Sequence, residues 1–469
     1  MSLRGIAAAA GAVVCLGAVL WLARPEIQEW LDDSLASPGA AREAAAAGSA
    51  TAAGSATDSP DATGAGGATG AGSATDRAET AGDAIAAGEY LARAGNCIGC
   101  HTRRGGAEYA GGRAISTPFG NVYSTNLTPE PETGLGAWSA DDFWRAMRYG
   151  KSKDGRRLYP AFPYTSYTLI SRDDSDAIFA FLKSLDPVRS ARVEPDLRFP
   201  YGTKLALLVW RALYFEPRRF EPQPDRSAAW NRGAYLTEGL GHCGACHSPR
   251  GPLGGREADA SYAGGNLPTV GSMEGPMEGW TAPPLRPGEP LSARDTDDLA
   301  ALLKSGVSAR RAVTGPMAEV VFHSLQHLRD DDIRAIVGYI ASLPPLPREA
   351  AGAGTRVPAR AGENLRVAGA SVYAEHCADC HGRRGEGEAY VYPALAGNGQ
   401  VTSASPANAL RSILFGGFPP TTEANPRPHG MPPYSHQLSD YDIAAVLTFI
   451  RGAWGNDAAA VSPVDVSRR

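Results

Sequence analysis

Six of the seven cysteines form three pairs with the same two-residue gap, and a histidine directly follows each pair. The three segments read CIGCH, CGACH and CADCH, and they comprise Cys97, Cys100, His101, Cys243, Cys246, His247, Cys377, Cys380 and His381. Positions three and four apart share one face of a helical turn, so two thiols and an imidazole can approach one planar group. This is the attachment spacing of a c-type haem, in which the cysteines form thioether links and the histidine binds iron.

A CxxC pair also occurs in zinc sites and in thiol-disulfide centres. Three copies in one frame, each with the adjacent histidine, favour haem instead. Pairs at so short a spacing would also not join separate domains as disulfides. The sequence therefore predicts three covalently bound haem c groups, with His101, His247 and His381 as the proximal iron ligands.

An electron-carrying haem of this type usually has a sixth ligand, often a methionine thioether. Met317, in TGPM, and Met431, in HGMPPY, each lie shortly before a predicted helix. They are the predicted metal ligands of the second and third haems. Met273 and Met277 are alternatives to Met317, and His429 is an alternative to Met431.

The first unit differs, because its corresponding text is YPAFPY, with Phe162 in the place of the methionine. Phenylalanine cannot bind iron. The first haem is therefore predicted to be five-coordinate, capped by another group, or bound by Met147. Met147 lies in an amphipathic stretch, so it could equally be a core residue.

The elements that must position these motifs repeat with them. A short helical stretch with glycine and tyrosine precedes each motif, and the glycines are Gly88, Gly233 and Gly369. Amphipathic helices are predicted to close the units at residues 171–185, 329–343 and 439–454. Acidic and hydroxyl residues at their starts match helix capping and the helix dipole. The repetition predicts three related units.

Length and charge agree with this modular organisation. The 469 residues suit about three compact units plus connecting sequence. The net charge of -5 gives no basic excess, so no nucleic-acid partner is expected. Residues 5–23 lack charge over nearly the length that spans a bilayer. They are predicted to be a retained anchor, with a cleaved signal as the alternative, and the remainder of the chain is predicted to be exported.

Domain boundaries follow from changes in composition. Residues rich in Ala, Gly, Ser and Thr before the first motif predict a flexible tether, with an Ala-rich helix as the alternative. Residues 204–215, KLALLVWRALYF, form an apolar helix that faces either the membrane or a quinone, or is buried between domains. The predicted divisions are anchor 1–24, tether 25–83, first domain 84–190, interdomain helix 191–226, second domain 227–345, linker 346–362, third domain 363–457 and tail 458–469.

Beyond these motifs, residues 87–457 resemble the three-haem cytochrome c subunit of membrane-bound bacterial alcohol, gluconate and related sugar dehydrogenases. The matching text includes GEYLARAGNCIGCHT, TPFGNVYSTNLTPEPETG, GAYLTEGLGHCGACHSPRG and HGMPPYSHQLSD. The resemblance implies an all-α fold of three tandem cytochrome c domains. With the anchor and tether, it places the chain at the periplasmic face of the bacterial inner membrane.

The resemblance also implies an electron-transfer subunit rather than an enzyme. Its implied partners are a quinoprotein or flavoprotein dehydrogenase, and ubiquinone or a terminal oxidase as acceptor. That family commonly has methionine where this chain has Phe162. Similar cytochromes with phenylalanine there are associated with molybdenum hydroxylases, so a molybdenum-type partner is a further possibility. Two other functions stay open, a subunit of a terminal oxidase and a haem peroxidase that uses an open first haem.

Overall fold

The structure is a computed structural model. It describes Arg24 and residues 27–29, 74–266, 279–346 and 359–468. No helix among these residues is both long enough and apolar enough to cross a bilayer. The predicted anchor lies outside the described residues apart from Arg24, and most of the predicted tether also lies outside them.

The first unit, residues 74–226, is built around the first CxxCH segment. Its helices are α1 (Ala74–Ala94), α2 (Cys97–His101), α3 (Ala140–Tyr149), α4 (Tyr164–Tyr167), α5 (Arg172–Ser184) and α6 (Lys204–Tyr214). Its strands β1 (Ala114–Thr117), β2 (Gly120–Tyr123) and β3 (Asp196–Leu197) form one antiparallel sheet in that order. Because β3 pairs with β2, the predicted interdomain segment 191–226 is attached to the first unit.

The second unit, residues 227–346, repeats the arrangement around the second CxxCH segment. Its helices are α7 (Ala228–Tyr235), a π-helix (Leu236–Leu240), α8 (Gly244–His247), α9 (Ala293–Ser305), α10 (Pro316–His323), a 3₁₀ turn (Leu325–His327) and α11 (Asp330–Ala341). Its strands β4 (Gly265–Asn266) and β5 (Thr281–Ala282) pair antiparallel. The two small sheets qualify the all-α prediction, although helices carry the architecture.

The third unit, residues 359–468, contains α12 (Ala359–His376), α13 (Ala378–His381), α14 (Gly399–Thr402), α15 (Ala407–Phe415), α16 (Asp440–Gly452) and α17 (Pro463–Ser467). Val461 and Val466 are buried against α16, so the segment predicted as a tail completes the third core. A capping box at its start, formed by Ser462 and Asp465, explains why α17 forms in so short a segment.

The predicted closing helices are confirmed as α5, α11 and α16, which begin and end within two residues of the predicted bounds. Ser171 caps α5, and Ser439 forms a capping box with Asp442 at α16. The tether prediction was too long at its end, because α1 already begins at Ala74. Alanine-rich sequence favours helix once it can extend into a packed helix such as α1.

One helix crossing recurs in all three units, between the helix before the motif and the closing helix. A Cβ added to Gly88 would lie 1.9 Å from the Ala177 carbonyl oxygen. The equivalent distances are 2.0 Å from Gly233 to Ala335 and 2.0 Å from Gly369 to Ala445. Only glycine allows backbones to approach so closely. The glycines that repeat in the sequence therefore fix the same packing three times.

The first two units share one apolar core, whereas the third has its own. Leu91 and Ile178 of the first unit belong to the same cluster as Leu240 and Ile336 of the second. The third unit's cluster is separate from it. Polar contacts join the third unit to the second, such as Asn408, whose amide donates to the Thr281 carbonyl at 2.7 Å.

The first two units are also joined by a pair of equivalent hydrogen bonds. Tyr90 of α1 donates to Asp332 of α11, and Tyr235 of α7 donates to Asp174 of α5. Each tyrosine lies two residues after its crossing glycine, so the two bonds are related by pseudo-twofold symmetry. In the third unit the corresponding residue is Ser371. The first and second units therefore form a pair from which the third is excluded.

Substituting asparagine for Asp332 should weaken this pair. Arg232 donates to both Asp332 oxygens, at 2.9 and 3.0 Å. Burial alone would raise the pKa of Asp332, but the bonds from Arg232 and Tyr90 and the nearby positive charges outweigh it and lower the pKa to about 2. Loss of these charge-assisted bonds should lower the free energy of unfolding by about 2 kcal/mol at neutral pH.

The acid dependence gives a second readout of the same substitution. A lowered carboxyl pKa contributes stability in full above its ordinary value of 3.8, and the contribution disappears as the pH falls through about 2. Denaturant unfolding of the native protein and of Asp332→Asn should therefore converge over that range. Exposed Asp331 provides the matched control, and an equal effect of Asp331→Asn would contradict a specific role for Asp332.

Candidate haem-binding sites

Each CxxCH segment forms one helical turn that presents its histidine to a backbone carbonyl. The His101 ring nitrogen Nδ1 lies 2.7 Å from the Thr125 oxygen. His247 Nδ1 lies 2.7 Å from the Pro283 oxygen, and His381 Nδ1 lies 2.9 Å from the Pro393 oxygen. A carbonyl can only accept, so Nδ1 carries the proton and Nε2 keeps its lone pair. That is the tautomer an iron ligand needs.

The electrostatic surroundings also favour neutral imidazoles. Burial lowers the pKa of His101, His247 and His381, and in each case the carbonyl bond only partly opposes it. Burial likewise raises the pKa of the Cys97 and Cys243 thiols to about 12. A sulfur whose thiolate form is disfavoured by desolvation is suited to a neutral thioether link rather than to a reactive thiolate.

The loop after each motif returns to the histidine and closes the turn. The Gly111 amide donates to the His101 carbonyl at 2.7 Å, and the Gly264 amide donates to that of His247 at 2.9 Å. Both glycines come from the Tyr-Ala-Gly-Gly text that the first two units share. At Gly111 the backbone φ is +73°, and an added Cβ would lie 2.4 Å from the Thr125 carbonyl carbon. Glycine is required there because this loop holds the carbonyl that orients His101.

A cavity of about 2520 Å³ extends from the first motif to the second. Cys97, Cys100 and His101 line it at one end, and Cys246 lines it at the other. It exceeds the roughly 300–1,000 Å³ of a typical small-ligand site. Two thiols, a neutral imidazole and a large, mainly apolar wall suit a bulky planar group such as haem.

The first and second motifs also meet through an aromatic contact. The Tyr167 ring lies edge-on to the His242 ring at 5.6 Å between centroids. The Tyr167 hydroxyl donates to the Gly95 carbonyl at 3.1 Å, and His242 also hydrogen-bonds to the Gly95 backbone. Gly95 lies two residues before Cys97, and His242 directly precedes Cys243. These few residues therefore bridge the two sites.

The two predicted methionine ligands lie beside their apolar cores. Met317 is in the first turn of α10 and packs, half-buried, against the cluster shared by the first two units. Met431 packs against the third cluster, and its backbone pairs with Gly417 at 2.8 and 3.0 Å. His429 is exposed, and its ring contacts Tyr392, beside the Pro393 carbonyl that holds His381. Met273 and Met277 lie outside the described residues.

Phe162 lines the cavity beside the first motif, as does Met147, which is 3% exposed. The loop around Phe162 differs from the loop around Met431. Tyr434, three residues after Met431, donates to the carbonyl of His376 just before the third motif. In the first unit the corresponding hydrogen bond is made by Tyr167, five residues after Phe162, whose hydroxyl donates to the carbonyl of Gly95 shortly before the first motif.

Several residues that help to build these sites were not identified by the sequence analysis. The carbonyls of Thr125, Pro283 and Pro393 lie 24, 36 and 12 residues beyond their histidines, so no constant spacing reveals them. Asp174 and Asp332 were visible only as acidic residues at helix starts. Their bonds to tyrosines of the neighbouring unit depend on how the units dock.

Comparisons with known proteins agree with these sites. The family model for cytochrome c matches residues 85–186 and 367–454, around the first and third motifs. The chain is 40% identical over 389 residues to the cytochrome c subunit of the quinone alcohol dehydrogenase of Gluconacetobacter polyoxogenes, covering 81% of this chain and 82% of the relative. It is 39% identical over 396 residues to the gluconate 2-dehydrogenase cytochrome c subunit of Pantoea cypripedii, with 81% and 88% covered.

A third relative is a nicotinate dehydrogenase subunit of Pseudomonas putida, which is 40% identical over 375 residues. The match covers 79% of this chain but 30% of that relative. The predicted resemblance is thereby confirmed over most of the chain. The chain belongs to the family of cytochrome c subunits of bacterial alcohol and gluconate dehydrogenases.

Proposed function

We propose that this chain binds three haem c groups and transfers electrons from a partner dehydrogenase to a respiratory acceptor. The observation that carries the proposal is the repeated site, in which each CxxCH histidine donates Nδ1 to a backbone carbonyl and keeps Nε2 for iron. The haem would supply reversible one-electron chemistry. The protein would hold the imidazole and attach the group.

The donor in this proposal is a dehydrogenase, because the relatives are named as subunits of alcohol, gluconate and nicotinate dehydrogenases. The family resemblance favours a quinoprotein or flavoprotein partner, and phenylalanine at position 162 keeps a molybdenum-type partner open. The acceptor is ubiquinone or a terminal oxidase. The proposed location is the periplasmic face of the inner membrane, with residues 1–24 as the anchor.

Three cytochrome c domains would carry the haems, with predicted bounds 84–190, 227–345 and 363–457. The recurring glycine crossing supports all three, including the second, which has a π-helix just before its motif. His101, His247 and His381 would be the proximal ligands. Met317 and Met431 would complete the second and third sites. Met431 packs against the third cluster together with Cys377, whereas Met317 packs against the shared cluster together with Cys97 of the first motif.

Electron transfer between the first two sites would use the bridge formed by Tyr167, Gly95 and His242. The bridge holds the two motifs in fixed contact within one shared core. Electron transfer needs close, rigid placement of the carriers rather than acid-base groups. The third unit has a separate core, so its position relative to the pair depends on polar contacts such as those of Asn408.

The haem count tests the first part of the proposal. The alkaline pyridine spectrum of the purified chain should give three haems per polypeptide, one for each CxxCH segment. Replacing Cys243 and Cys246 with alanine should remove one haem. A native count of two would contradict the proposal.

Co-purification tests the second part. A dehydrogenase should accompany the chain, and adding that enzyme's substrate should reduce the haems. A copper-haem oxidase in place of the dehydrogenase would assign the chain to a terminal oxidase instead.

A further inference from the structure

The CxxCH segments differ in the charge that lies beside their second cysteine. At the first segment, Arg113 donates to the Gly99 carbonyl at 2.5 Å and to Glu319 at 2.7 Å. Burial raises the pKa of Cys100, and the charges of Arg113 and Glu319 act on this pKa in opposite directions. The positive charge beside Cys100 is therefore compensated by a carboxylate.

The second segment also binds an arginine at this carbonyl but without a carboxylate partner. Arg250 donates to the Ala245 carbonyl at 2.8 Å, and Ala245 occupies in its motif the position of Gly99. Arg250 also donates to the Gly254 carbonyl at 2.7 Å, while its buried Nε has no hydrogen-bond partner among the described residues. Burial raises the pKa of Cys246 to about 11, and the Arg250 charge opposes this rise. The field of Arg250 therefore reaches the sulfur that would attach the second haem.

A second guanidinium lies against the same segment. A Cβ added to Gly244 would lie 2.8 Å from Nη1 of Arg256, so this group rests on the backbone between the two cysteines. Within the ranges that the structure describes, neither Arg250 nor Arg256 forms an ion pair with a carboxylate. Burial lowers the pKa of both arginines, and Arg256 lowers that of Arg250 further. Because a guanidinium stays charged at neutral pH, two uncompensated positive charges lie beside this motif.

The turn that carries both arginines is held by the first unit. Arg250 and Arg256 face each other across an isolated antiparallel bridge, and both line the cavity between the first two motifs. A Cβ added to Gly255, within this turn, would overlap the ring of Tyr214 on α6. This close approach needs glycine. Docking of the first unit therefore restricts the position of the two charges.

At the third segment the corresponding arginine is exposed. Arg384 follows Cys380 by four residues, as Arg250 follows Cys246, but its side chain faces solvent. Water and salt screen an exposed charge far more than a buried one. The charge is thus compensated at the first segment, uncompensated at the second and screened at the third.

We propose that Arg250 and Arg256 raise the reduction potential of the haem at the second segment. A ferric haem carries one more positive charge than a ferrous haem, so a buried cation beside it favours the ferrous state. The inference rests on the proposed haem attachment at Cys243 and Cys246 and adds the residues that set the energy of an electron there. Between the two units that share one core, this charge difference favours an electron at the second site over the first.

The test is a spectroelectrochemical titration of the full, haem-loaded chain and of Arg256→Gln. We expect the equilibrium constant for reduction of one haem to fall by about tenfold, or about 59 mV for a one-electron couple. The component that is missing when Cys243 and Cys246 are replaced by alanine identifies the second haem. Arg256→Lys keeps the charge without the planar fork and should restore the native potential. Arg250→Gln should act in the same direction as Arg256→Gln and gives the measurement if the latter loses a haem.

Arg384→Gln is the matched control, because it removes an exposed arginine from the equivalent position and should leave all three potentials unchanged. Glu319→Gln is the control of sign, since it removes the partner of Arg113 and should raise the potential of the first haem. Unchanged potentials in both Arg250→Gln and Arg256→Gln would overturn the proposal. A fall that Arg256→Lys does not reverse would also overturn it, because side-chain shape rather than charge would then be the cause.

The haem count separates failure of this inference from failure of the proposed function. Alkaline pyridine spectra are recorded for the native chain and for each variant. If all bind three haems and no potential moves, the role of the arginines is rejected and the electron-transfer function stands. If the native chain binds two haems and loses none when Cys243 and Cys246 are replaced, both the second haem site and this inference are rejected.

Discussion

Gly369→Ala should unfold the third unit and leave the first two haem sites intact. An alanine Cβ at this position would lie 2.0 Å from the Ala445 carbonyl oxygen and 2.9 Å from the Phe449 Cβ. The α12–α16 crossing cannot open slightly, because Leu365, Tyr373, Val446 and Ile450 pack across the third core. Overpacking of this kind costs about 3 kcal/mol.

The loss should be confined to the third unit because its core is separate from the core shared by the other two. We expect limited proteolysis to digest the third unit and to leave a resistant fragment of the first two units, which carries two of the three covalently bound haems. Gly88→Ala should behave differently. Its Cβ would meet the Ala177 oxygen at 1.9 Å, and the first two units should be lost together since they share one core.

Gly362→Ala is the matched control, because it changes the same residue type in the same helix. Its added Cβ would meet only the Ala460 Cβ, at 3.6 Å, which is ordinary contact. Alanine also favours helix over glycine by roughly 0.5–1 kcal/mol, so this variant should be as stable as the native protein or slightly more stable. Equal damage from both substitutions would contradict the crossing as the cause.

Sequence was sufficient for the parts of the structure that depend on local pattern. The haem segments, the closing helices and the three glycines all have short, repeated signals, and helix capping at Ser171 and Ser439 follows from the same text. For α6, the sequence left two interpretations open. It could not decide between them, because a helix with both Arg211 and Leu213 has no preferred orientation until its neighbours are known.

What the sequence could not supply depends on contacts between distant backbone segments. The carbonyls that orient the three histidines come from loops of different length, and every residue along those loops offers a carbonyl. The pairing of the first two units depends on Tyr90 and Tyr235. From the repeat pattern, each tyrosine would be expected to contact only residues of the unit that contains it. Only docking shows that each hydroxyl bonds the closing helix of the other unit.

The first haem site should be open to an external ligand in the native protein and closed in Phe162→Met. Phe162 lines the cavity with His101, and its ring packs 5.3 Å from that of Tyr167. A phenyl ring has no lone pair for iron, whereas a thioether is a soft ligand that favours the ferrous state. Methionine is unbranched and flexible, so it can occupy the volume of the ring with little strain.

Carbon monoxide binding to the reduced protein measures this difference. We expect about one carbon monoxide per native chain and none in Phe162→Met, whose first haem should also have a higher reduction potential, as methionine ligation raises it. Met147 is the competing ligand, since it is buried and lines the same cavity. Met147→Leu keeps the apolar volume and removes the sulfur. If the native protein binds no carbon monoxide and Met147→Leu does, then Met147 fills the sixth position and Phe162 is only part of the wall.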